Sequence, residues 1–463
     1  MRVISTALCR LLLRVFFRRI ESVGAEQVPS DAPLLYVLNH PNALLDPLFI
    51  LCLSPRPVTF LAKAPLFSTF LVKHFVRAFE CLPVYREQDG EDPSKNRAII
   101  ETSIALLAGG EGREPKALAL FPEGTSHSDP KLRPLKTGAA RIALSSSAAA
   151  GDRSPAAVRI VPVGLHYSDK SSFRSNALLV YGPPIETPKV ELDADARPPR
   201  AAVEQLTAEI DAALTRVTVQ AQTHEAIELA RAAAQVLAAA ARDQSEDQGE
   251  DQGADEGLGV ELEQRLIHGY ERLSERSPDE LARVVARVRS YEAALARHRL
   301  PLNHPARIDR RAATRYALRR LAALALLVGP ALLGLVTHFP AYRLIDWLAH
   351  RVARRSTDVL ATLKLIAGFL FFPLTWVVLA LVAGLSLGWI AAAIALLGLP
   401  LCGYAALRFG ELLFDFVDRA RGALALAIRR DLGPFLIAER RAIRAEISEI
   451  SEISEISEIS EIS

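Results

Sequence analysis

The sequence predicts an α/β domain, then a helical middle region, then a C-terminal helical part that is embedded in a membrane. Between residues 33 and 184, short apolar runs alternate with amphipathic stretches, which is typical of a layered α/β structure. Between residues 200 and 300 the strand signals are lost, and Ala, Glu, Arg and Leu dominate. No charged residue lies between Lys364 and Arg408, which favours membrane helices.

The α/β domain is expected to cover residues 26–200. Helical periodicity marks Asn96–Leu107 and Thr137–Ala148, and breaks are expected at 109–112 and 151–155. The short apolar runs give six strand candidates: Leu34–Leu38, Val58–Leu61, Leu82–Tyr85, Ala117–Phe121, Ile160–Leu165 and Ala177–Tyr181.

Composition excludes some classes of protein. The 463 residues carry 55 Lys and Arg against 53 Asp and Glu, so the net charge of +2 gives no basic footprint for nucleic acid. The cysteines are widely spaced without a C-x-x-C pair, and no metal-ligand spacing is visible, so we expect neither a disulfide framework nor a metal site. A reducing, cytoplasmic setting fits best. The four cysteines are Cys9, Cys52, Cys81 and Cys402.

Residues 1–25 are predicted to form an amphipathic helix that docks on an anionic membrane surface. Apolar residues recur there at helical spacing, while Arg10, Arg14 and Arg18 fall four apart on another face. The apolar region of a signal peptide lacks arginines, so this stretch is not predicted to be a signal peptide. The alternative is an ordinary helix that packs on a soluble domain.

The middle region, residues 201–310, is predicted to be helical around a disordered linker at 243–257. That linker is acidic, contains glycine and lacks large apolar residues, so it buries too little surface to offset its chain entropy. At the other end, residues 436–463 are predicted to be a frayed, low-complexity tail. Glu-Ile-Ser occurs six times there, and a period of three spreads isoleucine around a helix.

Residues 311–435 are predicted to hold the membrane helices. The uncharged interval has room for two helices at roughly 20 residues per crossing, with a turn between Gly384 and Gly388. A second uncharged stretch, 321–342, contains Pro330 and Pro340, so spanning, dipping and kinking all remain open. Arginines flank every segment, so the positive-inside rule gives no orientation.

Three apolar runs each end in polar groups. Together these groups offer a base, an anion-binding side chain and hydrogen-bond donors to oxygen atoms. His40 follows the first run, and Asp46 lies six positions later, where a carboxylate can orient the histidine as a base. Arg86 follows another run and suits an anion clamp, while the turn Glu123–Thr125 offers backbone N–H groups and a hydroxyl to oxygen atoms. Gly124 suits a turn that closely approaches oxygen. No G-x-S-x-G elbow of a serine hydrolase is present.

These residues resemble the glycerophospholipid acyltransferase family, which includes bacterial lysophosphatidic acid and glycerol-3-phosphate acyltransferases. The resemblance covers about residues 20–200, and the block FPEGT is the most specific. Lys63, and Lys136 within Leu135–Ala140, also look familial. The four matching blocks are Asn39-His40 with Asp46, Leu82–Arg86, Phe121–Thr125 and Ile160–Val163.

One departure concerns the first block. Five residues, instead of the family's four, separate His40 from Asp46 in HPNALLD. At helical pitch one extra residue rotates a side chain by about 100°, so the pair meets only if Pro41-Asn42 loops out that residue. This longer form resembles a subset of the family that includes relatives of the fungal glycerol-3-phosphate acyltransferases.

The resemblance implies direct acyl transfer without an acyl-enzyme or a cofactor. His40 and Asp46 would be catalytic, while Arg86, the Glu123–Thr125 turn, Lys136 and Lys63 would bind substrate. The partners would be membrane lipid, an acyl-CoA or acyl-carrier-protein donor, and glycerol 3-phosphate or 1-acylglycerol 3-phosphate as acceptor. The catalytic domain would act on the cytoplasmic face of the cell membrane.

Two alternatives stay open at this stage. The acceptor could be a lysophospholipid with a larger head group, in an acyltransferase or transacylase reaction. The chain could also be a catalytically silent membrane scaffold, although such a scaffold has no need of His40, Arg86 and Glu123.

Overall fold

The computed structural model describes residues 2–69, 72–108, 116–150, 157–170, 172–248, 257–307, 309–353 and 357–461. They form two compact units. The first comprises residues 1–220 and 349–365, and the second comprises 221–348 and 366–463. The first unit thus extends beyond the predicted limit at residue 200. The predicted breaks at 109–112 and 151–155 lie outside the described residues.

The first unit is built on an eight-stranded sheet in the order β1-β7-β6-β2-β5-β3-β4, with β8 beside β6. All neighbouring strands are parallel except β7 and β8, which each run antiparallel to β6. The strands are β1 Arg19–Val23, β2 Leu34–Leu38, β3 Val58–Lys63, β4 Leu82–Val84, β5 Ala117–Leu120, β6 Arg159–Tyr167, β7 Asn176–Tyr181 and β8 Ile185–Glu186.

Helices cover both faces of this sheet, as expected for a largely parallel sheet. Strand β2 lies in the middle and is fully buried: Leu34, Tyr36 and Leu38 face one core, and Leu35 and Val37 face the other. The first core includes α1 and α2, and the second includes α5 and α6. The helices are α1 Arg2–Phe16, α2 Leu45–Leu53, α3 Val72–Ala78, α4 Asn96–Ala108, α5 Gly138–Ala150 and α6 Arg200–Val217.

The predicted α/β class is confirmed, and all six strand candidates correspond to strands. Strands β1 and β8 and helices α2 and α3 escaped prediction. Helix α2 is apolar on all sides because most of its residues are buried, so it lacks a helical period. Helix α1 buries Cys9, Leu13 and Phe16 in the first core but leaves Val3 and Ile4 exposed. Membrane contact by that exposed face stays a prediction.

The second unit is helical, in agreement with the sequence. Its core joins α7, α9 and α13 through Val236, Val288, Leu436 and Ile443. Each of these residues is buried. The helices are α7 His224–Gln248, α8 Gly257–Arg276, α9 Pro278–Arg297, α10 Arg310–Ala353, α11 Thr357–Leu387, α12 Trp389–Ile428 and α13 Leu432–Glu461.

The structure describes helix in parts of the segments that were predicted to be a disordered linker and a frayed tail. Residues 243–248 of the supposed linker close α7, while residues 249–256 lie outside the described part. Asp243 is buried there and accepts a 2.8 Å hydrogen bond from Nη1 of Arg440, which is 1% exposed. Helix α13 continues through Glu461, and its first half packs Leu436 and Ile443 into the core. Its Glu-Ile-Ser repeats therefore continue an anchored helix.

Three helices in the described part of the chain are long and apolar enough to cross a membrane: Arg310–Val352, Thr362–Leu387 and Trp389–Ile428. Each helix contains an apolar segment of 18 residues, of which no more than 17% is buried. Most side chains of these segments therefore face outward. The predicted turn is confirmed at Gly388, which separates α11 from α12 with a φ of 92°. Residues 321–342, which contain Pro330 and Pro340, lie within one continuous helix. These helices indicate membrane association.

The membrane helices generate the first prediction. Spanning helices resist extraction, whereas an amphipathic surface helix is released when charge attraction is screened. We expect the full chain to stay in the membrane pellet after a carbonate wash and after high salt, as measured by immunoblot of pellet and supernatant. Release by carbonate would contradict this and would mean that the apolar helices are covered by protein.

Candidate active site

The predicted site residues meet at one edge of the sheet. Strands β2, β5, β3 and β4 are parallel neighbours, so their carboxyl ends share that edge. Ligands bind beyond such carboxyl ends in open α/β sheets. His40 follows β2, Glu123 follows β5, Lys63 ends β3, and Arg86 follows β4. The shared edge brings together groups that are far apart in the chain.

His40 and Asp46 form a hydrogen-bonded pair. Nδ1 of His40 lies 2.8 Å from Oδ2 of Asp46, whose side chain is fully buried, while the histidine side chain is 14% exposed. A carboxylate at Nδ1 fixes the proton on that nitrogen, so Nε2 has a free lone pair. Nε2 makes no hydrogen bond to any described residue. The pair thus presents an oriented, partly accessible base.

A loop absorbs the extra residue between His40 and Asp46. Ala43 adopts a φ of 29°, which is uncommon for a residue other than glycine. The backbone N–H groups of Leu45 and Asp46 both donate to the carbonyl of Asn42, at 3.0 and 3.3 Å. Leu44 N–H donates to Oγ1 of Thr362 at 3.2 Å. The loop therefore returns Asp46 to His40 despite the longer spacing.

Tyr167 at the end of β6 also binds Asp46. Its hydroxyl donates to Oδ1 of Asp46 at 2.5 Å, and Asn42 N–H donates to Oδ2 at 2.7 Å. Burial, together with the charge of Asp46, raises the pKa of Tyr167 well above its ordinary value. Tyr167 therefore keeps its proton and remains a donor. With His40, three groups satisfy the buried carboxylate.

The ring of His40 also stacks on Phe121. Their centroids are 3.7 Å apart and their planes differ by 5°. Phe121 packs in turn against Phe60 of β3, with centroids 5.0 Å apart. Stacking on one side and the carboxylate at Nδ1 together limit rotation of the imidazole.

Glu123 points into the protein instead of into open space. It is 3% exposed, and its oxygens accept the backbone N–H of His40 at 3.1 Å and that of Arg133 at 2.8 Å. A third hydrogen bond joins Glu123 to Nε2 of His127. Its predicted contact with substrate therefore has no support in this geometry.

Arg86 and Lys136 converge on Gly124. Arg86 donates through Nη1 to the carbonyl of Gly124 at 2.5 Å, and its other nitrogens pair with Asp89 at 2.7 and 3.0 Å. Gly124 has a φ of 74°, and a Cβ there would lie 2.9 Å from Nζ of Lys136. Only glycine fits this turn without strain. Two cations thus lie beside the turn.

Other details of the predicted turn differ from expectation. The N–H of Gly124 donates to the carbonyl of Phe121 at 3.1 Å, so this group is not available to a ligand oxygen. The hydroxyl of Thr125 lies 3.4 Å from the carbonyl of Ser126. Lys63 is exposed at the edge, where β3 pairs with β4. The binding roles of Thr125, Lys63 and Lys136 stay predictions.

Sequence reasoning missed two residues of this site. Tyr167 lies two residues beyond the predicted strand Ile160–Leu165, and nothing in the sequence links it to Asp46, which lies 121 residues earlier. His127 follows the FPEGT block four positions after Glu123. A second histidine so close to the most specific block was the sequence signal that could have identified His127 as a site residue. Among the described residues, no cluster of three or more His, Cys, Asp or Glu has metal-site geometry.

Two family models match this chain. Residues 19–166, which hold most of the sheet and all of the edge described above, match the acyltransferase family. This part of the chain is similar to that family, as its sequence blocks indicate. More particularly, residues 248–455 match the model described as the C-terminal domain of glycerol-3-phosphate acyltransferase 2. Both units thus contain residues that are similar to acyltransferase families.

Similar proteins come from yeasts and a bacterium. The chain is 29% identical to glycerol-3-phosphate O-acyltransferase 1 of Saccharomyces cerevisiae over 56% of its length, and spans 34% of that protein. It is 24% identical to an uncharacterized acyltransferase of Schizosaccharomyces pombe, over 95% of this chain and 78% of that one. The 1-acyl-sn-glycerophosphate acyltransferase structure from Thermotoga maritima shares 20% identity and a TM-score of 0.34, covering 46% of this chain and 77% of that one.

The shifted pKa of Tyr167 generates the second prediction. The folded protein holds this proton more tightly than the unfolded chain, so stability is lost as the pH rises from about 10 toward the folded pKa. Tyr167→Phe has no proton to lose there. We expect its melting temperature to fall less between about pH 9 and about pH 11 than that of the wild type.

At neutral pH, Tyr167→Phe should lower the free energy of unfolding by about 1–3 kcal/mol, because an oxygen of buried Asp46 loses its donor. Tyr270→Phe, in α8, controls for loss of a phenol elsewhere. Parallel alkaline curves for wild type and Tyr167→Phe would show that the Tyr167 hydroxyl is not held by Asp46.

Proposed function

We propose that this protein transfers a fatty acyl group from a thioester donor to a hydroxyl of glycerol 3-phosphate. The observation that carries the proposal is the 2.8 Å pair of His40 and Asp46, with Nε2 unbound in the described structure, at the sheet edge that also carries Arg86. An oriented histidine suits deprotonation of a hydroxyl near neutral pH. A guanidinium suits a phosphate.

In the proposed reaction, Nε2 of His40 takes the proton of the acceptor hydroxyl while its oxygen attacks the thioester carbonyl carbon. The new C–O bond forms, the C–S bond breaks, and the sulfur leaves and is protonated as the thiol. Asp46 stabilises the imidazolium that forms, as a carboxylate does in a catalytic triad. No covalent acyl-enzyme is needed, because base and acceptor act together.

The choice of acceptor rests on relatives. A C-terminal domain described for glycerol-3-phosphate acyltransferase 2 and a yeast relative named glycerol-3-phosphate O-acyltransferase favour glycerol 3-phosphate. The alternative acceptor, 1-acylglycerol 3-phosphate, carries the same phosphate and would use the same cations. Acyl-CoA and acyl-carrier protein are both candidate donors, and no cofactor is required.

The membrane helices fit this proposal, because the donor chain and the product are amphiphiles that partition to a membrane interface. We place the catalytic domain on the cytoplasmic face of the cell membrane, where acyl thioesters are made available. The proposed partners are therefore membrane lipid, the thioester donor and the phosphate-bearing acceptor.

The third prediction tests the base. His40→Ala should lower kcat by about 10²–10⁴, because general-base catalysis is typically worth that much. Asp46→Asn should lower it less, since the base survives with poorer orientation. The assay supplies labelled acyl-CoA with glycerol 3-phosphate, lysophosphatidic acid or lysophosphatidylcholine in parallel.

The control for this test is His74→Ala, which replaces an exposed histidine of α3. Retention of most activity by a folded His40→Ala protein would refute the mechanism. A wild type that acylates none of the three acceptors would refute the proposed function and favour a silent scaffold.

The fourth prediction tests the anion clamp. Arg86→Lys keeps the charge but loses the two-pronged guanidinium, so the KM of glycerol 3-phosphate should rise by about tenfold or more, while that of the donor changes little. Arg97→Lys, at an exposed position of α4, is the matched control. A rise confined to the KM of acyl-CoA would instead assign Arg86 to the donor.

A further inference from the structure

A second pair of ionisable side chains lies directly behind the catalytic histidine. Glu123 is 3% exposed, and the side chain of His127 is 8% exposed. They are hydrogen-bonded to each other through Oε2 of Glu123 and Nε2 of His127. Both residues line a cavity with His40, but the carboxylate oxygens of Glu123 and the ring nitrogens of His127 already carry hydrogen bonds within the protein. The pair therefore needs a role other than proton transfer to substrate.

Both oxygens of the Glu123 carboxylate already accept hydrogen bonds from the protein. Oε1 accepts the backbone N–H of His40 at 3.1 Å, and Oε2 accepts the backbone N–H of Arg133 at 2.8 Å as well as the ring of His127. A substrate hydroxyl would have to displace one of these buried donors. A substrate phosphate would be repelled by the negative charge of Glu123.

His127 completes the arrangement. Its Nδ1 accepts the backbone N–H of Asp129 at 3.1 Å, so the ring proton lies on Nε2 and is donated to Glu123. Its own backbone N–H donates to the carbonyl of His40 at 3.2 Å. The segment after β5 thus binds His40 through both its N–H and its C=O.

We infer that Glu123 and His127 are positioning residues that hold the backbone of His40, and that neither binds substrate. This inference deepens the proposed function and rests on it. The side chain of His40 is set by Asp46 and Phe121, but its Cα is set by the Glu123–His127 pair. A displacement of about 1 Å in a catalytic group can cost about 10²-fold in rate. The acceptor phosphate is then left to Arg86 and Lys136.

The test separates kcat from KM in three variants. Glu123→Gln replaces one acceptor oxygen by an NH2 group, which cannot accept from the three donors around it. His127→Leu removes the ring that donates to Glu123. Both should lower kcat by about tenfold or more, with the KM of glycerol 3-phosphate within about twofold of the wild type. His127→Gln can place an amide N–H near the lost Nε2–H and should recover most of the activity.

Matched controls make the outcome decisive. His74→Leu makes the same exchange at an exposed position and should leave kcat unchanged. A melting curve for each variant shows whether it folds. Should Glu123→Gln prove unfolded, the comparison of His127→Leu with His127→Gln decides the question.

Two results would overturn the inference. One is a rise in the KM of glycerol 3-phosphate at unchanged kcat in Glu123→Gln, which would make Glu123 a substrate ligand. The other is a wild-type kcat in His127→Leu. Both leave the proposed function standing, whereas a wild type inactive on every acceptor would refute that function itself.

Discussion

The buried carboxylate of Asp46 is the constraint on which this site depends. A charge without solvent is tolerated only where hydrogen bonds satisfy it. Here the donors come from three places: Tyr167 at the end of β6, the backbone of Asn42 in the loop, and the ring of His40 after β2. Satisfying Asp46 therefore fixes the start of α2, the path of the loop and the tautomer of the histidine together.

The same reasoning explains why this edge of the sheet tolerates so many polar groups. Parallel strands deliver His40, Glu123 and Arg86 to one edge, and each finds a partner from a neighbouring segment. The backbone of His40 is bound from the β5 side, while its ring is bound from the α2 side. Nε2 of His40 keeps a lone pair that no described residue binds, which suits a reactive position.

Local signals predicted most of the first unit, because β2 to β7 are short apolar runs and both cores are built on them. The sequence did not show which residues far apart in the chain form hydrogen bonds to each other. The carboxylate of Glu123 accepts the backbone N–H of His40, 83 residues earlier, and nothing in the sequence indicates that contact. Asp243 reads as part of a solvated linker until Arg440, 197 residues later, buries it. In both units, the distant partners of buried charged residues could not be predicted from the sequence.

The pairing of Arg86 with Asp89 bears on acceptor binding. Both side chains are 18% exposed, so the ion pair is partly desolvated but still open to exchange. A phosphate carries about −1.5 to −2 near neutral pH against −1 for the carboxylate, and presents more oxygens to the guanidinium. Phosphate can therefore replace Asp89 while the hydrogen bond from Arg86 to Gly124 stays in place. Asp89 keeps the guanidinium aligned, so under the proposed function little side-chain entropy would be lost when the acceptor binds.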